Sequence, residues 1–187
     1  MAFSLDQFDT VLKAVNDGNQ PYLLIGGQAV YFWASLYIRE EQALAQWRPF
    51  TSKDIDFQGG RFNLIRFAKQ MGVVPRFPHK KEMTAWAGAA VVPVAGGTTS
   101  VDFLRSMPGV KPNEANRFAV ERAHRGRQLR VLDPISLLSC KATLALKVNQ
   151  EGRRDAEHAR IMIYCVRAFL REILRAWNPE NCLSEVG

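Results

Sequence analysis

The stretch from Leu23 to Phe57 constrains the fold of this chain more than any other part of it. It predicts a short apolar strand, a glycine pair, a helix and a second strand that carries Asp54 and Asp56. Side chains two residues apart on a strand leave the same face, so the two carboxylates lie side by side. Like charges in this position repel each other unless a cation lies between them. The pattern therefore predicts a divalent cation site with oxygen ligands of the kind that Mg²⁺ prefers.

The glycine pair Gly26-Gly27 lies between a predicted strand, residues 22–25, and a predicted helix from Gln28 to Ile38. Glycines at such a junction let a ligand approach the backbone, and the free amides of a first helical turn bind anions such as phosphate. A plain tight turn is the alternative, because the Gly-x-Gly-x-x-Gly pattern of dinucleotide-binding folds is absent. The acid pair that follows favours phosphate chemistry.

Two segments resemble the signature of the polymerase-β-like nucleotidyltransferases, and within them the abortive-infection AbiEii-type toxin branch. They are Ile25-Gly26-Gly27-Gln28-Ala29 and Ser52-Lys53-Asp54-Ile55-Asp56-Phe57. The resemblance covers about residues 20 to 165. It implies an α+β fold in which a mixed β-sheet is flanked by helices and followed by a C-terminal helical segment. It also implies that the glycine pair faces nucleotide phosphates and that the two acids bind magnesium.

In that superfamily a third carboxylate on a later strand completes the site, and Asp102 matches it. The segment from Thr99 to Leu104 alternates like a strand, yet it carries this acid between apolar neighbours, where a plain strand would have none. The resemblance thus implies that Asp54, Asp56 and Asp102 are both catalytic and metal-binding. They would hold two Mg²⁺ ions, or Mn²⁺, about 3.5 to 4 Å apart, for in-line attack on the α-phosphate of a nucleoside triphosphate. Exposed strand acids are the alternative.

The resemblance also implies a set of nucleotide-binding residues. These are Gly26, Gly27, Gln28, Ser52, Lys53 and Lys141. Lys141 lies in an otherwise apolar helical stretch, so a lysine that extends to solvent is the alternative there. The chain departs from the family pattern at Phe50, where the family has an arginine and where Arg48 is displaced by two residues. Arg154 replaces the family's lysine before the tail aspartate.

The formal net charge of +7 and the pI near 9.6 predict a polyanionic partner or substrate. Between Glu121 and Trp177 the sequence contains twelve Lys and Arg residues but six Asp and Glu residues, so the C-terminal part is the basic part. Arg153, Arg154 and Arg160 are candidate RNA or tRNA contacts on a predicted final helix. The solvated face of an amphipathic helix is the alternative.

The remaining pattern predicts a core, residues 1–132, and a C-terminal helical segment, residues 133–187, that packs on it. Helices are predicted over 4–16, 61–71, 134–148 and 153–177, and strands over 73–77, 84–94, 99–104, 118–123 and 128–132. Asp133 is the expected N-cap of the helix that starts at Pro134. Pro93 favours an edge position for its strand. Residues 40–52 are expected to form a polar loop long enough to move over the site.

Cysteine and histidine spacing predicts neither a disulfide framework nor a zinc site. The cysteines are Cys140, Cys165 and Cys182, and the histidines, which are expected on surfaces or in loops, are His79, His124 and His158. The chain shows neither a targeting pattern at its start nor an apolar run of about 18 residues that could span a membrane. A cytoplasmic protein with no membrane partner is the expectation.

These observations predict a metal-dependent nucleotidyltransferase that moves a nucleoside monophosphate to a hydroxyl of RNA, tRNA or protein. The resemblance implies the toxin of a toxin–antitoxin system, with a cognate antitoxin as partner. The alternative is a domain without turnover that serves as a nucleic-acid-binding or interaction module, and the displaced Arg48 favours it. A metal-dependent phosphodiesterase fits less well, because such enzymes more often place histidine ligands beside the acids.

Overall fold

The structure is a computed structural model that describes residues 1–16, 22–79, 81–82 and 84–177. Within these residues, seven strands form one mixed sheet. The strands are β1 (Leu23–Ile25), β2 (Asp54–Gln58), β3 (Pro75–Arg76), β4 (Trp86–Val94), β5 (Gly97–Leu104), β6 (Val120–His124) and β7 (Arg127–Val131). Their order across the sheet is β3-β4-β5-β2-β1-β7-β6. The sheet therefore places β2, with its two acids, between β1 and β5.

Helices flank this sheet. The α-helices are α1 (Asp9–Asn16), α2 (Gly26–Tyr37), α3 (Arg61–Met71), α4 (Pro112–Arg117), α5 (Pro134–Lys147) and α6 (Asp155–Ala176), and two 3₁₀ helices span Leu5–Phe8 and Gln42–Trp47. The long helix α6 packs against α5 and α2. The predicted α+β class, a mixed sheet flanked by helices with a helical C-terminal segment, is confirmed.

The centre of the sheet follows from the apolar pattern of its strands. All three residues of β1 are buried, as expected for a strand with neighbours on both edges and cover on both faces. On β2, Ile55 and Phe57 are buried while the residues between them are half-exposed. The buried face packs toward α3, where the ring centroids of Phe67 and Phe103 lie 5.6 Å apart. The opposite face of β2 is thus left for its polar side chains.

The helix α2 is apolar around most of its surface and is largely buried. Trp33, which is fully buried, donates a hydrogen bond from Nε1 to the carbonyl oxygen of Leu132 at 2.9 Å. That bond joins α2 to the segment that leads into α5. The predicted cap of α5 is confirmed, because Oδ1 of Asp133 accepts hydrogen bonds from the amides of Ile135 and Ser136, both at 2.9 Å.

Three local predictions need correction. β4 is not an edge strand, because Ala89 and Ala90 pair with β3; Pro93 lies beyond that pairing, where its missing N–H is tolerated. Residues 40–52 are not a plain loop, since they contain the 3₁₀ helix Gln42–Trp47 and bury Leu44. The short helix α4 was not predicted, since Pro112 at its start is the main signal that six residues offer.

Within the described part of the chain, no helix combines the length and the apolar character that crossing a membrane requires. Cys140 and Cys165 are buried free thiols. Cys182 lies outside the described residues, as does the end of the predicted C-terminal segment beyond Trp177.

Candidate active site

The three acids come together because β2 and β5 pair in parallel. The register places Asp56 opposite Asp102 and Asp54 opposite Ser100. Paired residues on neighbouring strands share a face, so the three carboxylates lie on one side of the sheet centre. All three side chains are half-buried. The sequence places Asp54 beside Asp56, but only the sheet brings Asp102 to them.

Gly26 leaves room for the carboxylate of Asp56 at the start of α2. A Cβ atom on Gly26 would lie 1.8 Å from Oδ2 of Asp56, and the backbone there has a φ of +70°. Both facts require glycine at this position. Gly27 donates its backbone N–H to the same carboxylate. The glycine pair therefore packs directly on the predicted metal-binding acid.

The environment of Asp56 disfavours its ionised form. Burial, with the neighbouring charges of Asp54 and Asp102, raises the pKa of Asp56 to about 8, although the ammonium of Lys141 and the Gly27 N–H act in the opposite direction. Burial also raises the pKa of Asp102, against hydrogen bonds from Trp86 and Ser100 that lower it. Clustered carboxylates with raised pKa values mark sites built to hold a cation or to transfer protons.

Hydrogen bonds hold two of the acids. Trp86 donates from Nε1 to Oδ1 of Asp102 at 2.8 Å, and Ser52 donates from Oγ to Oδ1 of Asp54 at 3.1 Å. As the described side chains stand, no three His, Cys, Asp or Glu residues meet closely enough to hold one metal ion. The chemistry of the three carboxylates fits Mg²⁺ or Mn²⁺.

Lys141 is buried and does not extend to solvent. Its Nζ lies 2.9 Å from Oδ1 of Asp155, and the two side chains are 9% and 4% exposed. Arg153 donates from Nε to Oδ2 of the same carboxylate at 2.7 Å. Burial alone would raise the pKa of Asp155, but Lys141 and Arg153 outweigh it and lower that pKa. The alternative of a solvent-directed lysine is therefore wrong, and Lys141 joins α5 to the start of α6.

The three arginines predicted to contact nucleic acid differ in position and in pairing. Arg153 and Arg154 precede α6 instead of lying on it, whereas Arg160 lies exposed on that helix. Arg154 forms an ion pair with Glu157, and its guanidinium lies 5.6 Å from the ring centroid of Tyr31. Arg153 already binds Asp155. Two of the three thus have acidic partners within the chain.

Gln28, Ser52 and Lys53 differ in what their side chains contact. Gln28 is buried and donates from Nε2 to the carbonyl oxygen of Phe3 at 2.8 Å, so its side chain anchors the N-terminal segment. A Cβ on Gly27 would lie 2.8 Å from Oγ of Ser52, which places Ser52 against the start of α2. The side chain of Lys53 is exposed, and its backbone oxygen accepts a hydrogen bond from Thr99 at 2.8 Å.

His158 belongs to the site region, contrary to its predicted surface position. It is buried on α6, its Nε2 lies 3.1 Å from the hydroxyl of Tyr31, and its Cε1 would lie 3.3 Å from a Cβ on Gly27. Its Nδ1 has no hydrogen-bond partner among the described residues. The helical period was the missed signal, because His158 follows the buried Asp155 by three residues and so shares its face.

The burial of His158 predicts an acid-sensitive fold. Burial, and next the charge of Lys141, lowers the pKa of His158 to about 3, against an ordinary value of 6.5. Below pH 6.5 the imidazole binds a proton in the unfolded chain but not in the folded chain. His158 therefore leaves the free energy of unfolding unchanged above pH 6.5 and lowers it as the pH falls from 6.5 toward 3. We expect His158→Gln to lose less thermal stability than the parent between pH 7.5 and pH 5 in parallel melting curves. Equal losses would contradict the buried neutral imidazole.

No protein-family model matches the sequence, and no curated protein matches it. The structure is similar to the crystal structure of an antigenic nucleotidyltransferase-like protein from Paracoccidioides brasiliensis, with a TM-score of 0.56 and 12% sequence identity. The likeness covers 90% of this chain and 79% of that one. At this identity it concerns the arrangement of strands and helices. The chain therefore has a nucleotidyltransferase-like fold, with its three clustered carboxylates on the central strands β2 and β5.

Proposed function

We propose that this protein is a metal-dependent nucleotidyltransferase that moves a nucleoside monophosphate from a nucleoside triphosphate to a hydroxyl acceptor. One observation carries the proposal. Asp54, Asp56 and Asp102 lie on one face of paired strands, and Asp56 packs against Gly26 at the start of α2. The fold supports the proposal, because it is similar to the fold of a protein described as nucleotidyltransferase-like. These groups suit a reaction between an acceptor hydroxyl and a nucleoside triphosphate.

The three carboxylates would hold Mg²⁺ or Mn²⁺, with two ions as the expected number. When bound, the metal would neutralise phosphate charge and make the α-phosphate more electrophilic. Asp102 has a raised pKa, which supports a role in accepting the proton of the attacking hydroxyl. The amides of the first turn of α2, at Gly27 and Gln28, suit the outer phosphates, because a helix N-terminus favours anions.

The two lysines would act differently from each other. Lys53 precedes Asp54 and is exposed, so it is available to a triphosphate that reaches the acids. Lys141 is held by Asp155, and its charge lowers the pKa of Asp56 from a distance. We therefore assign Lys53 to direct phosphate contact and Lys141 to positioning and electrostatic support.

The biological setting that the sequence signature suggests is an AbiEii-type toxin of a toxin–antitoxin system. RNA, tRNA or a protein would be the acceptor, and a cognate antitoxin would be the partner. Nucleoside triphosphates are abundant in the cytoplasm, which is the location that fits this substrate. The net charge of +7 supports a polyanionic substrate or acceptor.

A second candidate function is a nucleic-acid-binding or interaction module without turnover. Three observations favour it. Oδ1 of Asp102 is engaged by Trp86, and no three potential ligands among the described residues converge on one ion. Phe50, which stands where the resembled family has an arginine, stacks on Tyr31 with ring centroids 5.8 Å apart, so that position supplies packing instead of charge.

Metal-dependent binding of a triphosphate tests the proposal. Phosphates and carboxylates repel each other, so we expect titration calorimetry to detect ATP, CTP, GTP or UTP binding with Mg²⁺ and at least tenfold weaker binding in EDTA. Asp54→Asn, which keeps the shape of the side chain, should reduce the Mg²⁺ effect. Lys147→Met on the exposed end of α5 serves as the control and should bind like the parent. Equal affinity with and without metal would favour the module without turnover.

A further inference from the structure

A polar cavity lies at the C-terminal end of β2, next to Gln58 and away from Asp54. Its volume is about 420 Å³, and we call it the basic pocket. The lining residues that matter here are Tyr22, Gln58, Arg66, Arg105, Asn116 and Arg130. This volume falls within the range of about 300 to 1,000 Å³ that small-molecule sites occupy, so a phosphate with an attached sugar and base fits it better than a lone anion.

The basic pocket lies at the end of β2 and includes residues from both faces of the sheet, with Gln58 and Arg130 on the face that carries the acids. Gln58 ends β2 two residues after Asp56, so their side chains share a face and lie roughly 7 Å apart along the strand. Leu23 of β1 pairs with Gln58 on one side and with Arg130 of β7 on the other. Arg105 directly follows the β5 residue that pairs with Gln58. Tyr22 belongs to the opposite face, where it packs on Phe57 and Phe103. Gln58 and Arg130 therefore connect the pocket to the face of the carboxylates.

The described lining of the pocket is basic. It includes Arg105 and Arg130, and no Asp or Glu within the described part of the chain. Arg105 donates to the carbonyl oxygen of Thr84 at 3.2 Å, and Arg130 donates to that of Asn116 at 2.9 Å. Backbone carbonyls orient a guanidinium but do not neutralise it. Neither Arg105 nor Arg130 has a carboxylate partner among the described residues.

Many other arginines in the basic C-terminal part are paired within the chain. Those with carboxylate partners include Arg122, Arg125, Arg127, Arg153, Arg167 and Arg171. A paired guanidinium gives up an existing contact when it binds an external phosphate. Arg105 and Arg130 are therefore more available to an external phosphate than Arg153 and Arg154, whose carboxylate partners lie within the chain.

The pocket also offers uncharged hydrogen-bonding groups. Asn63 and Asn116 line it, and Oε1 of Gln58 is buried without a hydrogen-bond partner among the described residues. A half turn of that amide would present its NH₂ group as a donor instead. Guanidinium forks match the geometry of phosphate oxygens.

We propose that the basic pocket binds a nucleotide unit of a single-stranded RNA acceptor and so directs that RNA along β2 toward the acids. The proposal rests on the proposed function, because it names the acceptor class for the same site. In this proposal Arg105 and Arg130, and not Arg153 and Arg154, make the main phosphate contacts. The occupant is an RNA phosphodiester and not a free nucleotide.

The test measures RNA binding without metal or triphosphate, so its result is independent of turnover. Binding of a fluorescein-labelled oligouridylate is followed by anisotropy over a range of salt concentrations. We expect Arg105→Ala/Arg130→Ala to weaken binding at low salt and to reduce the log–log salt slope by about two units, one for each lost phosphate contact. Arg39→Ala/Arg76→Ala removes two exposed arginines outside the pocket and should leave the slope unchanged.

Further measurements keep the result decisive. Arg105→Lys/Arg130→Lys keeps both positive charges, so it tests the same contacts if the alanine variant fails to fold. Because it loses the guanidinium fork, it should bind RNA more weakly than the parent. An unchanged slope in the pocket alanine variant, or an equal loss in the control, would overturn the proposal. Displacement of the RNA by uridine monophosphate at similar concentrations would assign the pocket to a free nucleotide and overturn the RNA assignment. Transfer activity that persists after RNA binding is lost would leave the proposed function standing.

Discussion

Gly26→Ala is expected to be among the most damaging single substitutions in the described chain. The new Cβ would lie 1.8 Å from Oδ2 and 2.6 Å from Cγ of Asp56, at a φ of +70° that alanine disfavours. Left-handed strain of about 1 to 2 kcal/mol adds to an overpacking cost of about 1 to 3 kcal/mol. Denaturant unfolding should therefore show a loss of roughly 2 to 5 kcal/mol.

Gly72→Ala is the matched control for this prediction. Gly72 has a φ of +66° at the C-terminus of α3, but a Cβ there meets nothing within 4 Å. It should cost only the strain of about 1 to 2 kcal/mol. Asp56→Ala in the Gly26→Ala background removes two of the clashing atoms and should recover part of the loss. Equal costs for the two glycines would mean that the carboxylate of Asp56 does not pack on the start of α2.

Lys141→Met is expected to destabilise the fold by up to about 3 to 5 kcal/mol, because it removes the buried cation of Asp155 and leaves only the half-exposed Arg153 on that carboxylate. The two side chains are 9% and 4% exposed, so water cannot replace the lost ammonium. Lys141→Met/Asp155→Leu removes both charges and should recover most of the stability. Urea unfolding of the three proteins measures the effect.

Lys147→Met controls for the loss of a lysine from α5, because Lys147 is exposed and should change stability by no more than about 0.5 kcal/mol. If Lys141→Met unfolded at the same urea concentration as the parent but lost triphosphate binding, Lys141 would be a substrate contact. That result would support the nucleotide contact that the family resemblance implies for Lys141.

The sequence predicts most elements of the fold because their signals are local. The apolar residues of β1, the alternation in β2 and the Asp133 cap of α5 each lie within a few residues, and all three are found. The position of β3 beside β4 has no local signal, because two residues of strand carry no periodicity. The edge position predicted from Pro93 failed for that reason.

The site is harder to predict than the fold, because its members come from distant parts of the chain. The spacing of Asp54 and Asp56 determines that they share a face. Nothing in the local sequence indicates that β5 pairs with β2 and brings Asp102 to them. The family resemblance supplied that expectation. Trp86 shows the same limit, since its hydrogen bond to Asp102 depends on how β4 pairs with β5.

Titratable residues are the hardest to place from the sequence. Lys141 and His158 are both buried, one paired with Asp155 and the other bound to Tyr31. A long polar side chain is usually exposed, and only its partner makes burial tolerable. Because that partner lies on another turn or another helix, composition and charge counts cannot distinguish a buried pair from a solvated face.

Transfer of label from a triphosphate tests the central claim most directly. The purified protein is incubated with each α-³²P-labelled triphosphate, Mg²⁺ or Mn²⁺, and either total RNA or a protein extract as acceptor. The account predicts that label becomes attached to an acceptor with at least one nucleotide, only with metal, and that Asp56→Asn and Asp102→Asn abolish it while remaining folded. Label transfer that continues in EDTA, or in both asparagine variants, would contradict the claim that these carboxylates perform metal-dependent nucleotidyl transfer.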